Sequence, residues 1–112
     1  MFKLVISPTV LFDVKGTLRD DKGADIAFDF QLEAQRDAAE VLEHAITQEG
    51  QQNSRDYMAA RVTGWRKVAD EAGQPLPFSP EALAQLFGIP GMASLCFTAY
   101  LGAVGAQGRA KN

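Results

Sequence analysis

Apolar and polar residues alternate along the first third of the chain, and then the period changes. Phe2, Leu4 and Ile6 fall on one face of a short strand, and after Pro8 the set Val10, Phe12 and Val14 repeats the pattern with Asp13, Lys15 and Thr17 opposite. Asp20-Asp21-Lys22-Gly23 closes a turn, and Ile26, Phe28, Phe30 and Leu32 alternate again with Asp25, Asp29 and Gln31. These positions predict an antiparallel hairpin with one wet face, its best strands over residues 10–18 and 24–32. Beyond it the spacing is helical. Ala38, Val41, Leu42, Ala45 and Ile46 share a face from which Arg36, Asp37, Glu40 and Glu43 point away, so a helix is predicted over 33–47.

A polar surface loop is expected at 48–52, after which Asn53 or Ser54 caps a second helix with Met58, Val62 and Trp65 as its stripe and an end near Gly64. Gly64 beside Trp65 reads as a hinge next to a buried anchor. In Asp70-Glu71-Ala72-Gly73-Gln74, Gly73 is suited to positive φ, and Pro75 and Pro77 keep the following residues extended. Ser79-Pro80-Glu81 supplies an N-cap, a proline at the first helical position and an acid at the positive end of the helix dipole. A third helix therefore starts at Pro80, buries Leu83, Leu86 and Phe87, and stops at Gly88. Pro90 is placed to open a last helix carrying Met92, Leu95, Cys96, Phe97, Tyr100, Leu101 and Val104. These residues cover more than one face, so that helix is either central to the core or partly reserved for a partner.

The expected fold is α+β: an N-terminal antiparallel hairpin or small sheet followed by a bundle of about four helices. It occupies one domain over 1–112, with a strand-rich front at 1–33, a helical part at 34–104 and a flexible tail at 105–112. Trp65, Phe78, Ser79 and Pro80 are its expected structural anchors.

Composition narrows the function classes. The 112 residues, 46% of them hydrophobic, can fill one core. The lone Cys96 can form no internal disulfide, which fits a reducing compartment. A net charge of −3 with scattered Lys and Arg lacks the basic stripe that a phosphate backbone requires, so no nucleic-acid partner is expected. The charge-free run over 89–104 falls short of the roughly 20 residues of a spanning helix and is broken by Pro90, Gly91 and Gly102. The apolar N-terminal run is too short for a signal peptide. The expectation is a cytoplasmic protein with no membrane partner.

No constellation carries catalysis. His44 lacks an orienting partner and a nucleophile, and Cys96 lies in an apolar run that keeps a thiol inert. Asp20, Asp21 and Asp25 miss the calcium-loop pattern, because Lys22 occupies a ligand position and no glutamate closes the loop. Gly102, Gly105 and Gly108 follow no strand and cradle no phosphate. Neither enzyme activity, metal nor cofactor is expected.

One stretch carries a family resemblance. Val62-Thr63-Gly64-Trp65, then Asp70 through Glu81, then Leu83 to Leu86, and Ile89-Pro90-Gly91 ahead of Phe97-Thr98-Ala99-Tyr100, resembles the tail assembly chaperones of long-tailed phages, the functional class of the lambda G protein. The likeness covers about a third of the chain and rests most on the Gly-Trp pair, the acidic Gly turn and Pro-Phe-Ser. It implies a non-enzymatic protein of the bacterial host cytoplasm that binds the tape measure protein, keeps it soluble, recruits tail tube subunits and is absent from the finished virion. It also implies a translational frameshift near the end of the gene. A chaperone for amphipathic helices needs an apolar groove with adaptable side chains, and Met92, Phe97, Tyr100 and Leu101 are the expected lining. The alternative from another class is a structural virion component, such as a small tail or tail-completion protein, that self-associates through its hairpin edge.

Overall fold

Two eleven-residue strands flank the Asp20 turn. They are β1 (Thr9–Arg19) and β2 (Asp25–Gln35), antiparallel and in register from Thr9 opposite Gln35 to Arg19 opposite Asp25. A computed structural model describes residues 1–4, 6–47 and 53–106, with side chains of 45–47 excepted. The turn is set by one carboxylate: Asp20 Oδ1 accepts from the N–H groups of Lys22 and Ala24, each at 2.8 Å, while Gly23 adopts φ 84°. Alternation sorts the faces as expected over the middle of the hairpin, while Ile26, expected on the apolar face, is 51% exposed near the turn, where no helix among the described residues covers it. Phe12, Val14, Phe30, Leu32 and Ala34 are buried, and Asp13, Lys15, Thr17, Asp25 and Asp29 are exposed.

Four helices complete the α+β fold: α1 (Ala39–Thr47), α2 (Ser54–Arg61), α3 (Pro80–Phe87) and α4 (Met92–Val104). α4 lies across β1 and packs on α2 and α3, so one apolar cluster joins the sheet to the last three helices. Its residues Met92, Cys96 and Tyr100, four apart, form the buried stripe.

Four local expectations are corrected. The helix expected from residue 33 begins at Ala39, because Ala34 extends the two-residue period of Phe30 and Leu32 and is fully buried on the sheet. The stretch expected to finish the second helix is instead a third strand, β3 (Val62–Arg66), antiparallel to β2 with Trp65 opposite Leu32. Asn53 Oδ1 caps α2 by accepting from the Asp56 N–H at 2.8 Å, but after Arg61 the β-branched and aromatic run Val-Thr-Gly-Trp takes the open edge of β2. Gly64 sits beside the register shift at Glu33 and Ala34, where an added Cβ would lie 3.3 Å from Glu33 Oε1. Residues 1–4 and 6–7 form no strand. Phe2, Leu4 and Ile6 are 79%, 82% and 62% exposed, because they have no neighbouring strand to pair with. Finally, Pro90 precedes α4 instead of opening it; the N-cap is Gly91 at φ 83°.

The other start and stop signals hold. Ser79 Oγ accepts from the Ala82 N–H at 3.0 Å, Pro80 is the first residue of α3, and Gly88 closes it. The segment after β3 repeats the first turn. Asp70 Oδ1 accepts from Ala72 and Gln74 N–H at 2.9 and 3.0 Å, with Gly73 at φ 80°. Lys67, at φ 67°, is the one non-glycine residue with positive φ among the described residues and reverses the chain into this second hairpin. Trp65 holds the hairpin down: its Nε1–H donates to Leu76 O at 2.8 Å, and its ring meets Phe78 edge-on at 5.2 Å. The expected loop at 48–52 and the end of the tail at 107–112 lie outside the described residues.

Glycine replacements should separate backbone demand from helix propensity. Gly73→Ala is expected to cost about 1 kcal/mol, since a Cβ is disfavoured at its φ. Gly102→Ala, inside α4 with open space around the added methyl, is expected to stabilise by roughly 0.5–1 kcal/mol. Urea unfolding of the two variants measures both signs.

Candidate functional site

Two regions combine chemistry with a defined shape. The first is a polar knot where β2 hands the chain to α1. Asp37 Oδ2 accepts from Arg61 Nε at 2.7 Å and from the Tyr57 hydroxyl. The Tyr100 hydroxyl donates to Gln35 O at 2.7 Å and accepts from the Asp37 N–H at 3.1 Å. Arg61 also lies 3.9 Å from the centroid of the Tyr57 ring, a cation–π contact. Beneath these groups Tyr57 meets Phe97 and Tyr100 edge-on, and Tyr100 meets Phe12 in the same way.

These hydroxyl and carboxylate contacts are all made within the fold, so the knot acts as a clasp. Burial, then the Asp37 hydrogen bond and charge, push the Tyr57 phenol far above its usual range; burial likewise raises Tyr100. Next to the clasp, Arg36 Nη1 donates to Val104 O at 3.0 Å, while Arg36 Nε has no partner among the described residues.

The second region is an apolar groove of about 320 Å³ between α2 and α3. Ala59, Val62, Phe78, Pro80, Leu83 and Phe87 form its walls, with Arg55 and Asp56 at the rim. Small side chains open it. Ala59 on α2 and Ala84 on α3 are exposed, and the aromatic and leucine side chains behind them form the floor.

The residues expected to line a partner groove are not brought together on the surface. Met92 is 4% exposed and Tyr100 0%, both in the core, and Phe97 and Leu101 are half-buried. Their helix is enclosed on several sides, so its apolar composition serves packing. Trp65 is half-buried against the cluster, joined to Phe78 as an anchor of the second hairpin, while Ser79 and Pro80 shape the start of α3. His44 is exposed, and Asp20 spends its carboxylate on the turn.

Asp37 and Arg61 are a pair that sequence reasoning does not reach: a helical period from residue 33 turns Asp37 toward solvent, whereas it lies in the irregular link between β2 and α1, where its carboxylate meets Tyr57 and Arg61. The i,i+4 spacing of Tyr57 and Arg61 on α2 was the available signal. No single helix among the described residues is long and apolar enough to cross a membrane; α3 and α4 pass together only as a pair bent by 106°.

The chain has two tyrosines, both in the clasp, so alkaline titration reads it directly. Each phenol has a raised pKa when folded, so its stabilisation is complete below the unfolded value near 10 and declines as pH rises through and above that value. Absorbance at 295 nm should show no phenolate step at pH 10 while the protein is folded, and both groups should ionise together on unfolding. A native half-step near pH 10 would mean an open clasp. Cys96, its thiol pushed up to about 12 by burial, should react with a disulfide reagent at pH 8 only after denaturation. No protein-family model, curated protein or solved structure matches the chain.

Proposed function

We propose that the chain is a tail assembly chaperone of a long-tailed phage or prophage. It works without enzymatic chemistry in the host cytoplasm, binds the tape measure protein, keeps it soluble, recruits tail tube subunits and is left out of the finished virion. The observation that carries this reading is the α2–α3 groove. A tape measure protein presents long amphipathic helices, and a groove with leucine and aromatic walls and one charge of each sign at its rim accepts the apolar stripe of such a helix. The segments that resemble the chaperone family supply much of that surface: Val62, Phe78, Pro80, Leu83 and Ala84. Client binding is therefore assigned to this groove in place of the expected face of α4.

The test is co-expression with the tape measure protein of the same phage. The wild-type chain should keep the client soluble and co-purify with it. Ala59→Arg combined with Ala84→Arg fills the groove mouth from two exposed helical positions, where arginine is a good helix former. This variant should keep the native thermal transition and lose at least ten-fold of the captured client. Undiminished capture would remove the groove from the proposal. Recovery of the chain in purified tails would favour the structural virion component instead.

A further inference from the structure

The sheet order β1-β2-β3 leaves the outer edge of β1 unpaired among the described residues. At eleven residues, this edge is ~37 Å long. Such an edge is a template for another strand unless bulges, prolines or repelling charges protect it. β1 contains no proline, and its register with β2 runs unbroken from end to end. Its two central outward charges have opposite signs and stand two residues apart: Asp13 and Lys15.

We propose that two copies of this chain join through their β1 edges, antiparallel and centred on Val14, into one continuous six-stranded sheet. Three properties of β1 select this arrangement. Val14 is the midpoint of Thr9–Arg19, so this register alone overlaps all eleven residues. It matches the faces of both copies, with Phe12 opposite the partner's Gly16 on the core side, whereas a shift of one residue would set core-facing residues against wet ones. It also sets Asp13 of each copy against the partner's Lys15, giving two symmetric cross-strand ion pairs. The Gln31 amide already orients Asp13, donating to its Oδ1 at 3.0 Å.

The same arrangement accounts for most of the large apolar side chains left in solvent. Leu18 and Ile26 are exposed at the hairpin tip, and Phe2, Leu4 and Ile6 are exposed just ahead of β1. Antiparallel pairing carries the N-terminal segment of each copy to the hairpin tip of the other, placing the two exposed sets side by side. An isologous contact of this kind closes after two copies.

Sedimentation velocity over a concentration series tests the pairing. The wild-type chain should run at twice its 12.1 kDa mass. Asp13→Lys and Lys15→Asp, each at an exposed site, should keep the native circular dichroism and sediment as monomers, because each homodimer would oppose like charges. Mixed in equal amounts, the two variants should form a heterodimer, since every facing pair is then of opposite sign. A monomeric wild-type chain, single variants that remain dimeric, or a mixture that stays monomeric would each overturn the proposal.

Discussion

The clasp around Asp37 is the constraint on which the rest of the fold depends. Where β2 ends, the backbone must leave the sheet, and its polar groups lose their ladder partners beside a core that cannot solvate them. The Tyr100 hydroxyl from α4 satisfies Gln35 O and the Asp37 N–H, and the Asp37 carboxylate receives Tyr57 and Arg61 from α2. Three elements distant in sequence are thereby fixed at one point. A half-buried ion pair of this kind contributes little net stability by itself, but removing one member strands the other. Its effect here is to set the position of α2 relative to the sheet.

That position creates the groove. α2 ends at Arg61, inside the clasp, and the chain turns at once into β3, which places Val62 at the bottom of the cleft. Trp65, three residues on, holds the second hairpin through Leu76 and Phe78, so α3 begins at a fixed distance from α2. The buried clasp and the exposed groove therefore draw on different residues of one short helix, Tyr57 and Arg61 for the clasp and Arg55, Asp56 and Ala59 for the groove. Loss of the clasp would loosen the groove without touching its lining.

Much of this architecture was legible in the chain and some was not, for identifiable reasons. The hairpin and α3 were readable because period-two alternation, an Asp-x-x-Gly turn and Ser-Pro-Glu each admit one local structure. β3 was not, because Met58, Val62 and Trp65 also satisfy a helical stripe, and the choice between helix and strand was made by an open edge on β2 far away in sequence. Residues 33–35 failed for the same reason: alternation and helical spacing overlap there, and burial of Ala34 decided between them. The groove was hidden because alanines open it, and a small side chain carries no pattern. α4 left two readings open, core or partner face, and packing against β1, α2 and α3 puts its Met92, Cys96 and Tyr100 in the core.

The most direct measurement of the proposed client site is amide hydrogen exchange on the chain alone and mixed with the tape measure protein proposed as its client. Protection gained over 54–61 and 80–87, with α4 unchanged, is the expected result. Protection confined to α4, or to neither helix of the groove, would contradict the assignment of client binding to the α2–α3 cleft.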